Sequence, residues 1–208
     1  LVSGAHARAW LDRIMAGRIP QAGRLSLTPM LSPKGKLIGD FTVSCIREGL
    51  FQLTASYGSQ AYHQRWFEQN MEPGVTLQNI SDQRTGFQIA GPKAAEVLQA
   101  CTTANVADIK FLDVIELAIG STACLVQQVS YTGDHGFEIY CDPMGQRSLW
   151  DAFWEAGKPH GMTPFGMRAM MSLRLDRFFG SWLSEFSPDY TAAETGLDRF
   201  ISFRKNVD

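Results

Sequence analysis

Little in this sequence points toward a polyanion, a membrane or a resident metal. Lys and Arg total 19 against 21 Asp and Glu, a formal net charge of −2, so there is no global attraction to nucleic acid or an anionic surface. No apolar run approaches the ~20 residues that span a bilayer. The four cysteines, Cys45, Cys101, Cys124 and Cys141, are widely spread without a Cys-x-x-Cys pair, which disfavours zinc ribbons and thioredoxin-like redox sites. They read as small buried hydrophobes of a reducing compartment, cytoplasm or an organelle matrix. There is no Gly-x-Gly-x-x-Gly for a flavin or nicotinamide, no Walker phosphate loop, no Gly-x-Ser-x-Gly elbow and no His-Glu-x-x-His. The four histidines are isolated from one another and read as structural or solvated; His135 alone sits in a turn of interest.

What is present is ordinary for a folded protein: 208 residues, 45% hydrophobic and 19% charged, enough for one large domain or two small ones with a real core. The first residue is not Met and Leu1-Val-Ser-Gly is not a signal peptide. The closing stretch Phe200–Asp208 reads as a strand followed by a turn, and the whole is expected to be a fragment of a longer protein. Trp182, Phe186 and Phe200 are expected to leave apolar surface exposed.

Two amphipathic helices resemble each other. Ala7, Trp10, Leu11 and Ile14 follow the i, i+3, i+4, i+7 spacing, and Ala94, Val97, Leu98 and Cys101 repeat it at an offset of 87 that also relates Gly4 to Gly91. Pro92 suits the first turn of the second helix. Phe51 and Phe137, and Phe67 and Phe153, echo at an offset of 86. An internal duplication follows, with a first repeat over 1–85 and a second over 86–208. Strands are expected at 24–30, 37–46 and 50–55 and again at 111–118, 123–131 and 137–141. Helices separated by groups of strands give an α+β fold with largely antiparallel sheets. A last helix begins near Pro164, capped by Thr163, and its Met167, Met170, Met171 and Arg174 share one face. That stripe is either core with Arg174 reaching the rim or a device that points a guanidinium at an anionic partner.

Ser130 to Tyr140 joins two strands through a Gly-containing corner. Alternation sends Phe137, Ile139 and Cys141 to one face and Glu138 and Tyr140 to the other, so Glu138 points to water or lines a cleft. In the strand at 37–46, Leu37, Phe41 and Val43 point one way and Ile38, Asp40, Thr42 and Ser44 the other. Asp is depleted in strands, which draws attention to Asp40.

Tyr131-Thr-Gly-Asp-His-Gly-Phe-Glu138 resembles the Tyr-Thr-Gly-Glu-x-Gly-Phe-Glu motif of the glycine-cleavage T-protein superfamily of tetrahydrofolate-dependent aminomethyltransferases. The likeness continues through 23–40, where Asp40 falls on the catalytic aspartate, and through Gly86–Lys93, Ser172-Leu-Arg174-Leu and Ala193–Leu197. Gly39 stands where the family has a first aspartate, Leu27 where it tends to have tyrosine and Met170 where it has arginine. Ser26–Leu31 and Gly166–Leu175 are more similar to the C-terminal folate region of dimethylglycine and sarcosine dehydrogenases, whose flavin domain is separate and N-terminal. The resemblance implies a folate-binding domain of two intertwined β/α repeats, normally followed by a small β-barrel. It also implies tetrahydrofolate as cofactor, with FAD confined to another domain. Glu138 would accept from the 2-amino group and ring N–H of the pterin together, Arg174 would donate to the ring carbonyl or steady the cofactor, and Tyr131 would supply an aromatic wall. Asp40 would manage a proton while an iminium carbon from a methylated amine passes to folate N5 and N10 as 5,10-methylenetetrahydrofolate. The alternatives are a stand-alone aminomethyltransferase or folate-dependent demethylase, and a non-catalytic folate-binding module.

Overall fold

A computed structural model describes residues 1–182 and 184–205. The chain divides into two compact units, Leu1–Asn79 with the segment from Gly180 onward, and Ile80–Phe179. The segment from Gly180 thus belongs with the first unit, where the sequence reading grouped it with the second. Leu37, Trp182, Phe186, Ala192 and Leu197 form one buried cluster there, with Phe200 packed against it. Trp182 and Phe186 are each 6% exposed, so the apolar surface expected at these residues is interior. No strand forms at Phe200, which ends a 3-10 turn; Asn206–Asp208 lie outside the described residues.

The first unit runs β1 (Val2–Ser3), α1 (Ala7–Ile14), β2 (Arg24–Leu31), β3 (Leu37–Arg47), β4 (Leu50–Thr54), α2 (Gln60–Gln69) and β5 (Thr76–Leu77). Its sheet has the order β2-β3-β4-β1-β5 and every pairing is antiparallel. The second runs β6 (Thr85–Ala90), α3 (Ala94–Cys101), β7 (Val114–Ile119), β8 (Thr122–Gln127), β9 (Gly136–Cys141), α4 (Gln146–Gly157) and α5 (Met167–Leu173), with the order β6-β9-β8-β7. Read from the other edge, β7-β8-β9-β6 reproduces β2-β3-β4-β1 strand for strand. Val2 pairs with Phe51 as Ile89 pairs with Phe137. Gly4 and Gly91, each just before its helix, have φ of 124° and 123°, a region open to glycine and costly for other residues. The spacing that repeats along the sequence is therefore a repeated thread.

The two repeat helices, α1 and α3, each bury an apolar stripe on their own sheet. Ala7, Trp10, Leu11 and Ile14 join Phe41, Val43, Cys45, Phe51 and Phe67, and Ala94, Val97 and Leu98 join Val126, Phe137, Ile139, Leu149 and Phe153. At ~25 cal/mol per Å² these faces are the main source of stability.

Three expectations change. β8 stops at Gln127 because residues 128–135 leave the ladder, so Tyr131 lies in a turn rather than a strand. In β3 the pairing shifts between Met30/Gly39 and Leu31/Leu37. Ile38 becomes the extra residue of a bulge and turns into the same core as Phe41 and Val43, while Leu37 joins the Trp182 cluster. α5 begins after Gly166 without a side-chain cap, since the Thr163 hydroxyl donates to the Gly161 carbonyl. No α5 residue is buried and Met167 is 67% exposed, so the methionine stripe is not core.

Candidate functional site

Tyr131, Glu138 and Arg174 lie in the second unit and Asp40 in the first. In β9, Phe137, Ile139 and Cys141 are fully buried in the core, and alternation puts Glu138 on the other face. It does not point to bulk water. Burial pushes its carboxyl above the usual range, opposed by the Tyr140 hydroxyl, which donates to Glu138 Oε2 at 2.8 Å.

Pairing places Gln88 of β6 and Gln127 of β8 directly across from Glu138 on either side. The face thus carries an amide, carboxyl, amide row over three strands, spanning two interstrand spacings or roughly 10 Å. Gln88 Nε2 donates to Ser130 Oγ at 3.2 Å, and that hydroxyl lies 2.8 Å from Thr132 Oγ1. Gln127 is 0% exposed, and among the described residues neither its Oε1 nor its Nε2 has a hydrogen-bond partner. Leaving a buried polar group so costs ~1–3 kcal/mol. Sequence reasoning missed both glutamines; the signal available was Gln127 ending an otherwise apolar Cys-Leu-Val strand.

The corner at 130–136 is held by the segment after α5. Gly133 has φ 73°, and a side chain there would run into the Arg177 stem. Arg177 pairs with Asp134 at 3.2 Å. The Tyr131 ring stacks on Phe179 at 6.3 Å and 17°, and the Phe179 carbonyl accepts from Arg174 Nη1 at 2.7 Å. Arg174, 4% exposed, neither snorkels from a methionine core nor lies along it. It opens a 3-10 turn and is joined to Tyr131 through Phe179. His135 meets the Gln128 side chain at 2.8 Å and sets its ring edge-on to Phe137.

A cavity of about 530 Å³ lies in the second unit, lined by Gln88, Phe87, Trp150, Phe153, Phe165 and Met170 among others. Glu138, Tyr131 and Arg174 are not in its lining. Gln88 is the member of the polar row that borders it.

In the first unit, Asp40 pairs across from Pro29 on edge strand β2. Its Oδ1 is buried without a partner among the described residues. Burial pushes its pKa up to about 6, slightly opposed by its own backbone, which is the range in which a carboxylate exchanges protons near neutrality. Beside it, Gly39 has a steric cause. A Cβ there would stand 2.6 Å from Phe41 Cε2 and 2.7 Å from His63 Nε2. The His63 ring is boxed by Phe41, Tyr62 and Trp182, and burial lowers its pKa to about 4 against a small opposing effect of the Ile38 backbone. His63 fills the room that a side chain at position 39 would need.

Solved structures share this fold. The glycine cleavage system aminomethyltransferase T of Bartonella henselae superposes with a TM-score of 0.84 over 97% of this chain and 54% of its own, at 21% identity. A chain of the heterotetrameric sarcosine oxidase of Corynebacterium sp. U-96 matches at 0.61 over 79% and 82%, at 16% identity. The family follows from sequence: residues 1–205 match the GCVT N-terminal domain model, and the chain belongs to that family. Human mitochondrial dimethylglycine dehydrogenase is 34% identical over all of this chain and 24% of its own length. The aminomethyltransferase of Natranaerobius thermophilus is 29% identical over all of this chain and 58% of its length. The chain spans about a quarter to three-fifths of these relatives. It is an aminomethyltransferase-like domain related to dimethylglycine dehydrogenase. Among the described residues, no helix is long and apolar enough to cross a membrane and no group of three metal-ligating side chains occurs.

Proposed function

We propose that this chain is the tetrahydrofolate-binding one-carbon transfer domain of a dimethylglycine or sarcosine dehydrogenase-like protein, yielding 5,10-methylenetetrahydrofolate from an iminium-derived carbon. The observation that carries the reading is Glu138, a largely buried carboxyl held by Tyr140 between two amides on a sheet face. A buried carboxylate needs donors, and a reduced pterin offers two side by side, its 2-amino group and ring N–H. The residues present fit such a ring. Glu138 binds its donor edge, the Tyr131–Phe179 pair supplies an aromatic wall, and Arg174 fixes that pair through the Phe179 carbonyl. Tetrahydrofolate supplies the nitrogens that accept the one-carbon unit. Asp40, with a pKa of about 6, is the acid-base group, a role typically worth ~10²- to 10⁴-fold in rate.

Calorimetric titration of the chain with tetrahydrofolate tests the assignment. Binding that is lost in Glu138→Ala and kept in a surface control such as Lys110→Ala supports it; a folded wild-type chain with no binding refutes it. Asp40→Asn is expected to keep binding and lose product formation, which separates an enzyme from a folate-binding module. The flavin-linked assignment rests on the 34% identity to dimethylglycine dehydrogenase. A Gly-x-Gly-x-x-Gly strand and helix encoded upstream supports it, whereas a parent gene without one favours a stand-alone aminomethyltransferase.

A further inference from the structure

No side chain or backbone group among the described residues accounts for the Gln127 carboxamide. Gln127 faces Glu138 directly across the β8–β9 ladder, is fully shielded from solvent, and has neither carboxamide atom partnered among the described residues. The repeat shows that this is a property of the position. Ser44 faces Gln52 across β3–β4, with Gln52 following Phe51 as Glu138 follows Phe137. Ser44 Oγ and Gln52 Oε1 are likewise buried without partners among the described residues. At this register both copies keep polar atoms available.

We infer that Gln127 is a ligand-contacting, specificity-determining residue that reads the ring edge next to the one held by Glu138. The inference rests on the folate reading above. A carboxamide offers one donor and one acceptor side by side. The complementary pair on a reduced pterin is N1, an acceptor, and N8–H, a donor, adjacent to the amino group assigned to Glu138. Carboxyl and carboxamide stand one interstrand spacing apart, ~4.8 Å, so one flat bicycle can meet both. Because the amide is fully shielded from solvent, bonds made to it by the ring form away from competing water.

The test is a cycle between protein and ligand, with tetrahydrofolate and 8-deazatetrahydrofolate, which carries carbon in place of N8, titrated into wild type, Gln127→Leu and the near-isosteric Gln127→Met. Wild type is expected to bind the deaza compound ~10- to 100-fold more weakly. Both variants are expected to bind tetrahydrofolate ~10-fold or more weakly, to lose the discrimination and to melt no lower than wild type, because an unpaired polar group has been removed. Wild-type discrimination retained in either folded variant overturns the inference, as does a wild type that binds the two ligands equally. If tetrahydrofolate binding depends on Glu138 but not on Gln127, this inference fails and the folate reading stands. If the wild type binds no tetrahydrofolate, both fail.

Discussion

Asp40→Asn should stabilise the protein in a pH-dependent way. The carboxyl titrates at about 6 in the folded chain against 3.8 for an unperturbed group. The folded state therefore binds its proton more tightly than the unfolded state does. Its favourable contribution is complete below pH 3.8 and is lost as pH rises through about 6. At ~1.4 kcal/mol per pH unit, and with some relief from partial solvent access, ionised Asp40 costs roughly 2–3 kcal/mol above pH 7. Asparagine keeps the shape and removes the charge. Melting curves of wild type and Asp40→Asn should coincide near pH 4, separate between pH 4 and 6, and differ by a constant amount above pH 7. That amount is on the order of 5–10 °C for a chain of this size. His63 titrates over an overlapping range but is common to both proteins, so it cancels in the difference. A difference independent of pH, or a wild type more stable than Asp40→Asn at pH 8, would refute the burial argument.

Gly39→Ala should destabilise by ~1–3 kcal/mol through overpacking. His63→Ala should recover part of that loss in a double-mutant cycle by denaturant unfolding; strict additivity would contradict the packing account. His63→Phe should flatten acid destabilisation between pH 6.5 and 4, since the wild-type imidazole folds neutral and must take a proton there, a comparison made by melting point against pH. Tyr140→Phe removes a donor to the Glu138 carboxylate and should raise its already elevated pKa further. Tetrahydrofolate affinity, which requires the ionised acid, should then fall off at a higher pH than in wild type, and identical titration profiles would count against Glu138 as the acceptor. Gly133→Ala should lower stability by ~1–2 kcal/mol from its left-handed backbone, and exceed that if the Arg177–Asp134 contact is displaced.

The sequence was most legible where its pattern was local and regular. Two helix stripes at a constant offset gave the repeat, and alternation in β9 assigned Phe137 and Glu138 to opposite faces. It misled where one residue altered the count. Ile38 enters as a bulge and reverses the direction of everything before it in β3, which alternation cannot foresee. Arg174 has methionines at helical spacing before it, yet α5 buries none of them, because periodicity reports which residues share a face and not whether that face is covered. Gln127 was missed, and His63 was read as structural or solvated without its aromatic box being visible, for a related reason. Their significance lies in what stands across the ladder or inside the aromatic box, and such neighbours are distant along the chain.

The two hairpins of the repeat close differently. β3 returns to β4 through Glu48 and Gly49, whereas β8 reaches β9 through residues 128–135, the stretch that carries Tyr131 and His135. One copy of the scaffold thus closes with two residues where its twin uses eight. Transplanting the long corner into the first hairpin is accordingly a bounded engineering problem: Thr42–Ser44 against Gln52–Thr54 pair as Leu125–Gln127 against Glu138–Tyr140 do, and the bulge between Cys45 and Arg47 is the part the graft would replace.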